Sequence, residues 1–235
     1  MIIGSGLLAR AFASEYSHRD DICIYAAGVS NSNCTDANEF ARERQRLITS
    51  MEQAGRDATF VYFGTCSVAD PEARDTPYVQ HKLAMEHLVS RHPRYLILRL
   101  PQVAGITPNP HTLLNYLYAR ISRSESFTLW RNARRNIIDV EDMFSIARKL
   151  LNDPLIRNTT INIANPVNYP MTDIVEAMEQ AVGKTAIYQI VERGSGYPVD
   201  IDVIRPIIDG IGIRFDEGYL NRVIQKYYSS AARND

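Results

Sequence analysis

Two kinds of segment alternate along this sequence, and that alternation restricts the fold more than any other feature. Short runs of apolar, β-branched or aromatic residues stand at "MII" (1–3), "ICIYAA" (22–27), "TFVYFGT" (59–65), "YLILRL" (95–100) and "TINIAN" (160–165). Runs without polar alternation belong to strands buried on both faces, the habit of parallel sheets covered by helices. Helical spacing fills the gaps: "LLARAFASEY" after the first run, "NEFARERQRLITSMEQA" (38–54) after the second and "YVQHKLAMEHLVSRH" (78–92) after the third. "VEDMFSIARKLLND" (140–153) precedes the fifth. Strand–helix alternation of this kind predicts an α/β chain with a doubly wound parallel sheet. From about residue 106 the alternation loosens. "GITPNPHTLLNYLYARISRSESFTLW" carries loop signals and then a helix, and two more helical stretches, "PMTDIVEAMEQAVG" and "EGYLNRVIQKYY", lie among Gly and Pro after residue 165.

Composition excludes several classes. The net charge is −1, so no basic field draws nucleic acid or an anionic membrane, and neither is expected as a partner. The cluster "RNARR" (131–135) is then a local feature, expected as a solvated loop. Cys23, Cys34 and Cys66 show no C-x-x-C spacing, which points to reduced thiols and not to a disulfide frame or zinc site. His18, His81, His87 and His92 show no metal spacing, and no metal is expected. "MIIGSGLLARAFAS" imitates a signal peptide but lacks a basic start and is interrupted by Arg10. No run reaches transmembrane length, and the expected location is the cytoplasm.

The first strand and helix are joined by Gly4-x-Gly6-x-x-Ala9. This is the spacing of a dinucleotide fingerprint: a tight turn, a close backbone approach to pyrophosphate, and a small third residue for helix–strand packing, with the helix N-terminus facing the anion. A ligand-free βα turn can show the same pattern, so its weight comes from its place at the head of an α/β chain.

A second constellation follows the third run. "FVYFGTCS" ends in the hydroxyl residues Thr65 and Ser67, and the next helix carries Tyr78 and Lys82. Residues four apart share one helix face. A Tyr hydroxyl ordinarily titrates near pH 10, and an ammonium beside it stabilises the phenolate, which suits Tyr to acid–base work. Tyr-x-x-x-Lys alone is a weak motif in a chain with 13 Tyr; the element order around it gives it weight.

At this point the chain resembles the short-chain dehydrogenase/reductase superfamily, and within it the extended, NAD-dependent epimerase/dehydratase branch that acts on nucleotide sugars. "FVYFGTCSV" looks like that branch's fifth strand, "YVQHK" its Tyr-Lys motif, and "LRLPQVAG" (98–105) the segment closing over the nicotinamide. "RRNIIDVEDMFSIARKLL" and "INIANPVNYPMTDIVEAMEQAVGK" resemble its later strands and helices. The resemblance implies a Rossmann-type nucleotide-binding core over 1–105 with elements within 134–165, and a small substrate lobe from 106–133 and 166–235. It implies NAD or NADP as cofactor, a nucleotide sugar as substrate, and a homodimer.

Its roles carry over by position. Tyr78 is the implied acid–base residue, Lys82 the group that bonds the nicotinamide ribose and lowers the Tyr pKa, and Thr65 the group that orients the substrate oxygen. Gly4, Gly6, Leu7, Leu8 and Ala9 with Ala26, Ala27 and Gly28 would line the cofactor, and Pro101 and Val103 would pack near the nicotinamide. Arg135 would clamp the nucleotide-sugar diphosphate, with Arg193 in "VERGSGYP" as a looser second match. Ser67 and His111 lie on the substrate side; an exposed loop His and ordinary surface arginines are the plain alternatives.

The sequence also departs from the family. Between the glycine turn and "ICIYAAGVSNS" (22–32) stand only one helix and "SHRDD". Either "ICIYAAG" is the family's fourth strand, and two strands and a helix of the adenosine side are missing, or it is the second strand and lacks the acid that reads the ribose. Arg10 and Arg19 are the cations at hand for a 2′-phosphate. The dehydratases place Asp-Glu after the catalytic Thr where this chain has Cys66-Ser67, which argues against water elimination. Ser67 also stands where the GDP-fucose synthase group has the Cys of its Cys–His pair. The implied function is an NAD(P)-dependent reductase or epimerase of a nucleotide sugar in surface polysaccharide synthesis. The alternative is a degenerate member that binds a nucleotide sugar or a protein partner without redox turnover.

Overall fold

The computed structural model describes residues 1–229. Its first half runs β1 (Ile2–Ile3), α1 (Leu7–Tyr16), β2 (Ile22–Tyr25), α2 (Ala37–Ala54), β3 (Thr59–Thr65), a 3-10 turn at Cys66–Ala69, α3 (Pro77–Val89) and β4 (Tyr95–Leu100). The second half runs β5 (Gln102–Ala104), α4 (Leu113–Ser122), β6 (Phe127–Trp130), β7 (Arg134–Asp139), α5 (Val140–Asn152), β8 (Thr159–Asn162), β9 (Asn168–Pro170), α6 (Met171–Val182), β10 (Tyr188–Val191), α7 (Arg205–Ile211) and α8 (Tyr219–Tyr228).

The apolar runs form one parallel sheet in the order β1-β2-β3-β4-β8. Side chains alternate across a strand, so each run serves two cores. Ile22, Ile24, Val61, Phe63, Leu96 and Leu98 face the larger core, shared with Phe12 of α1, Ile146 of α5, Ile174 of α6 and Ile224 of α8. Cys23, Tyr25, Phe60, Tyr62 and Ile97 face the smaller one, closed by Leu47 of α2 and Met85 and Val89 of α3. Both faces are dry, which is why no alternation shows in the sequence.

Sheet order settles the identity of "ICIYAAG". In the doubly wound order 3-2-1-4-5-6, the second strand lies on the far side of the first, away from the fourth. Here β2 lies between β1 and β3, with Ile24 beside Ile2 and Val61 beside Ile24. It occupies the fourth-strand place, and β1 is an edge of the sheet. The strand also ends at Tyr25, before the expected Ala27: Ala26 gives its amide to Ile3 O (2.7 Å), and the chain then turns over the site.

Local chemistry sets most helix ends. Asp36, Thr76 and Asp139 cap α2, α3 and α5 by accepting the amides of Asn38, Val79 and Glu141. Pro77 opens α3, where its missing N–H costs no helical bond. That helix stops at Val89, three residues before its expected end, and the ring of His92 then bonds Arg94 O and Gly55 O. β8 covers 159–162 and leaves Ile163–Asn165, expected as strand, outside it: Ile163 and Ala164 are buried in the larger core and Asn165 exchanges hydrogen bonds with Asn136.

Downstream, β5, β7 and β9 form a small sheet, and β6 pairs with β10. "RNARR" is not a solvated loop: Ala133 is buried, Arg134 and Arg135 begin β7, and Arg131 pairs with Glu192 at 3.0 Å. Helix α8 is held on α5 by Asp139, which takes the Tyr227 hydroxyl at 2.7 Å and the Lys226 ammonium at 2.9 Å. The three cysteines are buried free thiols. No helix among the described residues is long and apolar enough to cross a membrane.

Candidate active site

Ligands of open α/β sheets bind at the carboxyl ends of the strands, and most of the residues singled out above gather there. Gly4 has φ +122°, and a Cβ there would collide with Ala26 O, so only Gly lets the turn close on the end of β2. Gly6 precedes α1 with no side-chain cap and open space where a Cβ would stand, leaving the first-turn amides accessible. Ala9 is buried against the sheet, as the fingerprint's third position requires, and Leu7 and Leu8 are half-buried. A Cβ on Gly105, after β5, would come within 2.7 Å of Leu7 and 3.0 Å of Val140. Pro101 and Val103, which precede Gly105 in the chain, are half-buried.

Ala26, Ala27 and Gly28 turn over the next group. A Cβ on Gly28 would lie 2.7 Å from Lys82 Nζ and 2.8 Å from Glu43 Oε1, so Gly28 roofs a buried ion pair. Tyr78 and Lys82 share α3 with their side chains turned inward. The Thr65 hydroxyl faces the Tyr78 phenol, and Thr65 Oγ1 accepts the Ser67 amide at 3.1 Å.

Lys82 does not activate the phenol in this arrangement. Its ammonium donates to Tyr62 Oη (3.1 Å), Glu43 Oε1 (3.4 Å) and Phe63 O (3.5 Å). Glu43 in turn accepts His81 Nε2 (2.9 Å), Tyr62 Oη (2.9 Å) and the Val29 amide (2.6 Å). Burial alone would raise the Glu43 carboxyl, but these partners outweigh it and hold the group down to about 2. Burial pulls Lys82 below the ordinary ammonium range, with Glu43 opposing. Burial and the Glu43 charge push Tyr78 up, against a smaller lowering from Thr65. The expected Lys-driven lowering of the Tyr78 pKa is therefore reversed, because a carboxylate neutralises the ammonium and water is excluded.

Beyond the end of β3, the Ser67 hydroxyl meets the Tyr197 phenol, which comes from the segment after β10 and has Arg135 nearby. Asn168 Nδ2 holds that segment through Tyr197 O at 2.7 Å. Arg135 donates to Arg134 O, and Arg193 is exposed over the Trp130 ring at 5.8 Å. His111 is exposed in the loop after β5, where Asn109 reaches Ser30 Oγ (3.0 Å) and Arg10 reaches Ile106 O (2.7 Å) across the glycine turn. The structure thus joins Thr65 to Tyr78 and Ser67 to Tyr197, near Arg135, and leaves Arg193 and His111 on the surface. A cavity of about 760 Å³ lies apart, between α5, α7 and α8, and most of its charges are paired, Arg222 with Asp216, Arg148 with Glu15 and Lys226 with Asp139.

Glu43, Tyr62 and Tyr197 were not among the expected site residues. Glu43 leaves a trace in the sequence: it falls on the stripe Phe40, Leu47, Met51 and Ala54, where a carboxylate needs a buried partner. Tyr197 leaves none, since its contact spans the chain from the end of β3 to the segment after β10.

Structural comparison places the chain beside UDP-glucose 4-epimerase of Thermus thermophilus in complex with NAD. The identity is 16% and the TM-score 0.68, over 96% of this chain and 80% of that one. RMD of Pseudomonas aeruginosa complexed with NADPH matches at 16% and TM-score 0.69, over 90% and 82%. UDP-glucuronic acid 4-epimerase of Bacillus cereus in complex with NAD matches at 18% and 0.68, over 90% and 72%. At these identities the likeness is one of fold. No curated protein matches in sequence. The model of the NAD dependent epimerase/dehydratase family matches residues 7–164, more than half of the chain, and this protein belongs to that family.

Proposed function

We propose that the protein is an NAD(P)-dependent reductase or epimerase of a nucleotide-activated sugar, cytoplasmic and acting in surface polysaccharide synthesis. The observation that carries this reading is the Thr65–Tyr78 hydroxyl pair at the carboxyl end of β3, with Lys82 one helical turn on. Gly4, Gly6 and the uncapped start of α1 fit a phosphate, and Ala26–Gly28, Pro101 and Val103 fit the nicotinamide side. A bound nicotinamide would supply or take up hydride at a sugar carbon. Thr65 would hold the sugar oxygen beside Tyr78, and Tyr78 would pass the matching proton. A phenol kept protonated by burial is suited to giving a proton, which favours the reductive direction. Ser67, Tyr197 and Arg135 would face the nucleotide sugar, Arg135 meeting phosphate oxygens with its planar fork. Arg193 and His111 would act only from the rim. We assign a homodimer contact to the outer face of α2 and α3, where Phe40, Met85 and Leu88 line an apolar groove.

A second reading has a specific observation in its favour. Glu43 engages the Lys82 ammonium that a ribose would need, and a degenerate member that binds a nucleotide sugar or protein without redox turnover could keep such a pair. Calorimetric titration with NADH and NADPH, beside a Tyr78→Phe, Lys82→Ala double variant, separates the two. Micromolar binding that weakens in the variant supports the enzyme. No binding of either form at millimolar concentration removes it and leaves the second reading.

A further inference from the structure

We infer that this chain recognises only the nicotinamide mononucleotide half of its cofactor and leaves the adenosine half without a binding surface. The inference rests on the dinucleotide reading above and concerns how much of the ligand the site holds.

In a doubly wound sheet the dinucleotide straddles the first strand. The fourth strand and its neighbours carry one mononucleotide, and the second and third strands carry the other. Here β1 is an edge strand, and nothing among the described residues pairs with its outer side. The shortening is internal to the chain: α1 ends at Tyr16, and residues 17–21 lead straight into β2 beside β1.

Of the two groups that read an adenosine ribose, the acid is missing and the cation is engaged elsewhere. The acidic residue placed about twenty positions past the glycine turn binds a ribose hydroxyl, and a nearby Arg takes a 2′-phosphate. That distance from Gly4 and Gly6 falls on Tyr25–Gly28. Its backbone is committed to Gly4 on one side and to the Glu43–Lys82 pair on the other, and it offers no charged side chain. Arg19, the cation between α1 and β2, is tied to Asp21 by two bonds of 2.7 and 2.6 Å. What remains is the other half: the glycine turn, the start of α1, and the floor from Ala26 to Lys82. Arg10 lies at this turn, donating to Ser5 O (3.2 Å) and Ile106 O (2.7 Å), within the same turn of α1 that would receive the 5′-phosphate.

The test is calorimetric titration of the intact protein with NADH, NADPH, reduced nicotinamide mononucleotide and ADP-ribose. The inference expects the three nicotinamide compounds to bind within about five-fold of one another and ADP-ribose to show no binding. Arg19→Ala should leave the NADPH to NADH ratio unchanged. NADH or NADPH binding more than about thirty-fold tighter than the mononucleotide, or measurable ADP-ribose binding, would overturn the inference while leaving the enzyme reading intact. No binding of any nicotinamide compound would overturn both.

Discussion

Glu43→Ala is the perturbation with the largest consequence worked out from this structure. The carboxylate is 1% exposed and its partner ammonium on Lys82 is 5% exposed. Four donors lose their acceptor together: Lys82 Nζ, His81 Nε2, Tyr62 Oη and the Val29 amide. Removing one partner of a buried ion pair costs about 3 to 5 kcal/mol, because the other charge is stranded away from water. For a domain of this size that is a fall in Tm of roughly 10 °C. If the stranded ammonium is the cause, adding Lys82→Met should recover about 2 kcal/mol or more, a coupling visible in a double-mutant cycle of urea unfolding. The pH dependence has a definite sign. A carboxyl held at about 2, against an ordinary 4.5, adds stability that is fully present above pH 4.5 and is lost as pH falls through 2. The difference is worth about 3 kcal/mol. The gap between wild type and Glu43→Ala should be flat from pH 5 to 8 and narrow in acid. A single-variant loss under about 1 kcal/mol, or strict additivity with Lys82→Met, would refute the stranded-charge reasoning.

Other residues give equally direct tests. Asp139→Ala removes the α5 cap and the anchor of Tyr227 and Lys226, and should cost about 2 to 4 kcal/mol. Limited proteolysis should then cut near α8 first; an unchanged cleavage pattern would contradict that anchoring. Gly4→Ala forces a side chain into a φ of +122° against Ala26 O and should cost about 3 kcal/mol in thermal unfolding, with dinucleotide binding lost together with it. Tyr78→Phe removes the hydroxyl that faces Thr65 and should cost about 1 kcal/mol of stability while cofactor affinity stays within a few-fold.

The sequence shows the main sheet clearly and the site only in part. β3 and β4 are legible to the residue because both faces are buried and no alternation confuses them. β2 is overread by two residues because Ala26 and Ala27 are apolar, yet past Tyr25 the backbone turns to close on Gly4. β6, β9 and β10 are short or lie at edges, where Tyr188 and Ile190 stay exposed, so no hydrophobic run marks them. Tyr78, Lys82 and Thr65 are legible because the motif is local to one strand and the next helix. Glu43 is visible as a charge on an apolar stripe, but its partner is not, since packing α2 beside α3 is a tertiary event. The sign of the Tyr78 shift followed that missing partner: with Lys82 considered alone the pKa should fall, and with Glu43 and burial it rises.

The most direct test of the proposed chemistry is a single turnover with NADH carrying deuterium at nicotinamide C4 and a nucleotide-linked 4-keto hexose, read by mass spectrometry of the sugar. The Thr65–Tyr78–Lys82 site predicts deuterium on the sugar carbon with the wild-type protein and none with Tyr78→Phe. Deuterium transfer undiminished in Tyr78→Phe, or none in the wild-type protein while NADH is bound, would contradict it.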